Sequence, residues 1–142
     1  MLNGAFGDYL ASRNNGLAIE MAFMHRGQAL ALEREALRAA YPVSDGSLCV
    51  FLHGLCCSEA SWQFPGGSEF AGQTYGSLLQ KEIGITPLFL RYNTGLPIAE
   101  NGRRLAELLH ALLDAFPVAI REIVLIGHSM GGLVARSAAA SG

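Results

Sequence analysis

Residues 127–131 of this 142-residue chain read Gly-His-Ser-Met-Gly, inside the run IVLIGHSMGGLVARSA at 123–138. A serine hydroxyl is a weak nucleophile until a base takes its proton. Glycines crowded around Ser129 therefore suggest a backbone bent to present its oxygen. The four apolar residues ahead of Gly127 predict a buried strand, and the alanine-rich sequence behind Gly131 predicts a helix. That is the strand-turn-helix setting in which G-x-S-x-G forms a sharp elbow with the serine raised above the sheet. The turn forces Ser129 into a sparsely allowed conformation, and glycine at 127 and 131 is expected to remove collisions with it. The motif alone is weak, because 17 glycines make chance matches common. The plainer alternatives are an ordinary loop serine and a phosphate-cradling glycine loop, but no G-x-x-x-x-G-K-[ST] pattern occurs here.

The chemistry expected of such a serine is acyl transfer, in which the attacked carbonyl oxygen needs hydrogen-bond donors. The Met130 amide is one candidate: it opens the predicted helix, where N–H groups are unpaired and the helix dipole favours negative charge. The segment FLHGL at 51–55 offers a second. His53-Gly54 closes a predicted buried strand, and Gly54 lets the chain turn so that the Leu55 amide faces the same oxygen. A general base is harder to find among the four histidines. His128 neighbours the serine but leaves the elbow in another direction, and His53 reads as a hydrogen-bonded loop-former more readily than as a base. His110 falls in a predicted helix, and His25 lies near a predicted turn without an acid partner.

Several elements must position these residues. Residues 48–52, LCVFL, are a continuous apolar run that suits a strand buried on both faces, and residues 87–92 and 123–126 read as two further buried strands. Between them, YGSLLQKEI at 75–83 reads as a short helix. The stretch GLPIAENGRRLAELLHALLDAFP reads as a longer one, with Leu105, Leu108, Leu109, Leu112 and Phe116 along one face. Alternation of strand and helix predicts a mostly parallel sheet covered by helices on both faces, an α/β fold. Ahead of it, residues 17–32 suggest a hairpin turning at Arg26-Gly27, and EREALRAAY a short helix. A long loop over 54–72 carries Trp62, which together with Phe64 either lines an acyl pocket or packs; loops of this length in compact domains tend to be functional.

With these motifs in view, the sequence resembles the α/β-hydrolase family, and within it bacterial lipase- and esterase-like members, including those related to the GPI-inositol deacylases. The resemblance rests on VFLHGL, RYNTGLPIAENGRRLAELL and IVLIGHSMGGLVARSA, and covers residues 48–142, leaving 1–47 as a separate N-terminal segment. It implies Ser129 as nucleophile and the Leu55 and Met130 amides as oxyanion hole, with His53, Gly54, Gly127, His128 and Gly131 shaping the site. In this family the triad runs serine, acid, histidine along the chain. After Ser129 only MGGLVARSAAASG follows, without Asp, Glu or His. The expectation is the N-terminal part of an α/β-hydrolase fold: a fragment of a carboxylic-ester hydrolase whose acid and histidine are encoded downstream. The alternative is a non-catalytic fragment or binding domain that keeps the half-fold.

Composition narrows the partners. Ten Lys plus Arg against twelve Asp plus Glu leave a net charge of −2 without a basic stripe, so no nucleic-acid partner is expected. Residues 105–120, the longest apolar stretch, are broken by Glu107, His110 and Asp114, so no transmembrane segment is expected. The opening MLNGAFGDYLASRNNG lacks the basic start and apolar core of a secretion leader, which points to a cytoplasmic location. Cys49, Cys56 and Cys57 with His53 do not follow zinc-ligand spacings, so neither a metal nor a cofactor is expected. The expected substrate is a small-molecule or lipid ester.

Overall fold

The apolar runs of the sequence become strands and the periodic runs become helices. The computed structural model describes residues 19–142. The opening residues from which a missing leader was read, and the first two positions of the 17–32 hairpin, lie outside the described residues. In chain order come β1 (Ala22–His25), β2 (Gln28–Ala29), α1 (Arg34–Ala40), β3 (Ser47–Leu52), a 3-10 turn (Glu59–Trp62), α2 (Tyr75–Ile83), β4 (Thr86–Arg91), α3 (Ile98–Ala115), β5 (Glu122–Gly127) and α4 (Met130–Ser141). The strands form one sheet in the order β2-β1-β4-β3-β5. Strand β3 pairs in parallel with β4 on one side and β5 on the other, Val50 lying opposite both Leu88 and Leu125. The hairpin joins antiparallel to β4, which makes the sheet mixed. Its turn holds Arg26 at φ 51° and Gly27 at φ 77°, the paired positive angles that match the twist of a two-residue hairpin.

All six residues of β3 are buried, which is why its sequence is continuous rather than alternating. The expected burial of residues 123–126 does not hold: β5 is an edge strand of the described sheet, with no strand on its outer side, and Val124 is exposed. Leu48, Val50 and Leu52 pack on one face with Leu37 of α1, Leu105 and Leu112 of α3 and Val134 of α4. Cys49 and Phe51 face the opposite side with Ile85, Phe89, Trp62 and Leu79 of α2. Phe23 of the hairpin shares the first cluster, so the N-terminal elements and the later strands enclose one core.

Helix α2, which follows β3, covers one face of the sheet, and α4, which follows β5, covers the other. Adjacent parallel strands whose helices leave in opposite directions open a crevice at their carboxyl ends. The ends of β3 and β5 are such a pair, and both sequence motifs lie there. Among the described residues, no helix is long and apolar enough to cross a membrane.

Candidate active site

Only His128 and Ser129 separate the end of β5 from the start of α4. Ser129 holds φ 54° and ψ −119°, a region that residues with a Cβ rarely occupy and that costs about 1–3 kcal/mol. The turn is pinned by the His128 N–H donating to the Leu52 carbonyl at 3.0 Å, the Gly131 N–H to His128 O at 2.9 Å and the Gly132 N–H to Ser129 O at 3.0 Å. A Cβ at Gly127 would meet the backbone of the first helical turn, 2.5 Å from Gly131 C and 2.6 Å from Gly132 Cα. One at Gly131 would press on the Leu52 carbonyl and come within 2.8 Å of the His53 carbonyl. Neither position leaves room for a Cβ, and the nearest atoms such a group would meet belong to helix and strand backbone.

The oxyanion segment lies against this elbow. A Cβ on Gly54 would stand 3.1 Å from His128 Nδ1 and 3.5 Å from Ser129 Cβ, so the two loops approach closely here and a side chain at 54 would press on the His128 ring. Gly54 to Cys57 form a turn closed by the Cys57 N–H donating to Gly54 O at 3.2 Å. Cys56 takes φ 58° at the turn position that ordinarily favours glycine. Buried Thr94 holds it there, its Oγ1 accepting the Cys56 N–H at 3.2 Å. Among the described residues, no acceptor sits on the Leu55 or Met130 amide. Met130 is the first residue of α4, where free N–H groups and the dipole's positive end coincide.

His53 is fully buried under this turn. Its Nδ1 lies 3.0 Å from the Gly54 carbonyl, and its Nε2 accepts the Tyr92 N–H at 3.4 Å. A carbonyl can only accept, which assigns the proton to Nδ1 and leaves the ring neutral. The Tyr92 ring stacks on it at 4.4 Å, and the Tyr92 hydroxyl donates to His53 O at 2.6 Å. Burial pulls the His53 pKa below its ordinary value, against the opposing pull of the Gly54 carbonyl and Glu59. With both nitrogens engaged, His53 fixes the strand end. His25 sits edge-on to Tyr41 at 5.5 Å, and His110 is exposed on α3. His128 and Ser129 are exposed, and among the described residues no histidine or carboxylate hydrogen-bonds the Ser129 hydroxyl. Cys49 is buried in β3 while Cys56 and Cys57 are exposed, and no group of three or more His, Cys, Asp or Glu among the described residues is placed to hold a metal ion.

Beside the elbow lies a cavity of about 260 Å³ lined by Cys57, Ser61, Trp62, Tyr75 and His128. Trp62 meets Phe51 edge-on at 4.9 Å and Tyr75 nearly at right angles at 6.1 Å. Phe64 instead packs on Phe70 and Tyr75. The 3-10 turn that carries Trp62 is tied to β4 by a two-pronged ion pair, with Arg91 Nε donating to Glu59 at 2.8 Å and Nη2 to its other oxygen. Burial alone would raise the Glu59 carboxyl, but the Arg91 guanidinium holds it below the usual value. A larger cavity of about 550 Å³ lies elsewhere, between Met21 and the Arg103, Arg104 and Glu107 face of α3, and its described lining has no Ser, Cys or His. Tyr92, Thr94 and the Glu59–Arg91 pair were not singled out from sequence. The available signal was polar residues directly after a buried strand, where the crevice of a parallel sheet lies.

With this geometry established, the sequence model of the alpha/beta hydrolase family matches residues 49–141. No curated protein and no solved structure matches the chain.

Proposed function

The chain belongs to the alpha/beta hydrolase family, and from that premise we propose that it is a serine hydrolase of carboxylic esters, esterase- or lipase-like, with Ser129 as nucleophile. Ser129 Oγ attacks the ester carbonyl as a general base takes its proton, and the Leu55 and Met130 amides bind the developing oxyanion. The tetrahedral intermediate expels the alcohol, and water then releases the acid from the acyl-serine. Among the described residues no histidine or carboxylate is hydrogen-bonded to Ser129 to act as that base. The observation that carries the proposal is the Ser129 backbone at φ 54° and ψ −119°, held between two positions without room for a Cβ and against Gly54. A strained non-glycine residue at the carboxyl ends of parallel strands points toward function.

Removing a triad serine or histidine typically costs about a million-fold in turnover, so the chain alone should show only trace hydrolysis. The test is phosphonylation by a fluorophosphonate probe, with free imidazole supplied as a substitute base. Expected is modification on the peptide carrying Ser129, accelerated by imidazole and lost in Ser129→Ala. Equal labelling of Ser129→Ala sinks the assignment. The second reading, a non-catalytic module, is favoured by the absence of a base on the Ser129 hydroxyl among the described residues. It predicts no phosphonylation even with imidazole.

A further inference from the structure

Resting on the ester-hydrolase reading, we infer that the cavity beside Ser129 is the acyl site and that it selects a compact acyl group, aryl or branched, of about eight non-hydrogen atoms. Cys57 lies two residues beyond Leu55, and His128 immediately precedes Ser129, so the walls of this cavity arise from both loops that meet at the elbow. Ser129 adjoins the His128 wall, so an acyl group carried on it would be placed beside this cavity, with Trp62 and Tyr75 there to receive its substituent.

At the roughly 30 Å³ that a water-sized group occupies in a liquid, 260 Å³ holds about eight heavy atoms. The walls are preformed: Trp62 is braced by Phe51 and Tyr75, Tyr75 by Phe64 at 4.5 Å, and the turn beneath by the Glu59–Arg91 pair. Aromatic walls set nearly perpendicular to one another favour a ring in offset or edge-on contact. Each methylene transferred from water into such a site strengthens binding roughly fourfold. That gain stops when the volume is full, so a long alkyl chain brings no more than a short one.

Trp62 is the only tryptophan of the chain, so its emission reports occupancy directly. In Cys56→Ser, Cys57 is the one exposed thiol, because Cys49 is fully buried. Acetate, butyrate, hexanoate, phenylacetate and dodecanoate, as product-like acids, are titrated against Trp62 emission and against iodoacetamide alkylation of Cys57. Expected is a roughly fourfold gain per methylene up to about hexanoate, phenylacetate at least as tight, no further gain for dodecanoate, and matching protection of Cys57. Continued fourfold gains to dodecanoate, or no protection by any acid, overturn the inference. Ser61→Phe, at an exposed wall position, should abolish the hexanoate and phenylacetate responses. Should its far-UV spectrum change, Cys57 protection in the Cys56→Ser chain decides instead. Ser129→Ala should bind the same acids in the same order. A failure of phosphonylation with the ladder intact removes the hydrolase reading alone, and a flat ladder with Ser129 phosphonylated removes the acyl-site inference alone.

Discussion

Replacing the two neighbouring glycines of α4 by alanine, one at a time, should shift stability in opposite directions. At Gly132 the nearest atom to an added Cβ is Gly127 O at 3.9 Å, so the new methyl meets ordinary contact. Alanine there restricts the unfolded chain and favours the helix, a gain of about 0.5 kcal/mol. At Gly131 the same methyl drives into the Leu52 carbonyl and comes 2.8 Å from that of His53, both backbone atoms in or next to the central strand. Overpacking of that kind costs about 1–3 kcal/mol, and the helix gain offsets only part of it. The net expectation for Gly131→Ala is a loss of about 1–2 kcal/mol, so the variants should differ by about 2 kcal/mol, or roughly 4–8 °C in Tm for a chain of this size. Urea titration followed by Trp62 emission and by far-UV circular dichroism measures both. If Gly131→Ala is as stable as the parent, or Gly132→Ala is equally damaged, the elbow is not clamped against β3 as described.

Three further outcomes follow from the site. Ser129→Gly should exceed Ser129→Ala in stability by about 1 kcal/mol, because glycine relieves the positive φ that alanine retains; equal melting temperatures would remove the strain argument. The lowered His53 pKa means that the folded state resists a proton the unfolded chain accepts. Its stabilisation is complete above pH 6.5 and fades as pH falls from there through the folded value, and the slope should shrink in His53→Gln, whereas an unchanged slope would show that His53 does not titrate against folding. The lowered Glu59 pKa acts in a separate window: its contribution is present above pH 4.5 and lost as pH falls below it. Glu59→Gln should therefore be less stable than the parent at pH 7, with the gap narrowing as pH falls below 4.5, and a difference that stays constant down that range would exclude the Arg91 pair as its source.

The strands, the crossover helices and the elbow were legible because their signals are local. LCVFL has no polar residue to place in water, YGSLLQKEI is bounded by a Thr74 capping box and by Gly84 at φ 74°, and Arg26-Gly27 occupies a turn that needs two positive angles. The chemistry beneath the oxyanion turn was not legible, because it depends on pairs distant in sequence. Tyr92 reaches His53 across 39 positions, Thr94 reaches Cys56 across 38 and Arg91 reaches Glu59 across 32. Each residue is unremarkable in its own neighbourhood. The segment after Gly54 read as loop because its order comes from a Ser58-capped 3-10 turn and a single Gln63–Thr74 bridge, neither of which has a hydrophobic period.

One of these distant pairs, Tyr92 with His53, meets the elbow at the carboxyl end of β3. Leu52 O receives the His128 N–H and abuts Gly131, while His53 O receives the Tyr92 hydroxyl and faces the same glycine. The nucleophile loop and the segment after β4 are thus positioned against two successive carbonyls of the chain that runs on into the oxyanion loop. Those carbonyls continue a strand whose side chains are buried on both faces, and close-packed interiors deform little. A perturbation of the β3 core, such as Val50→Ala, should therefore displace Ser129 and Leu55 together, whereas one at the exposed face of β5, such as Val124→Ala, should move neither. Backbone amide shifts of Leu55 and Met130 in the two variants measure this directly, and movement of one amide without the other in Val50→Ala would show that the two loops are held independently.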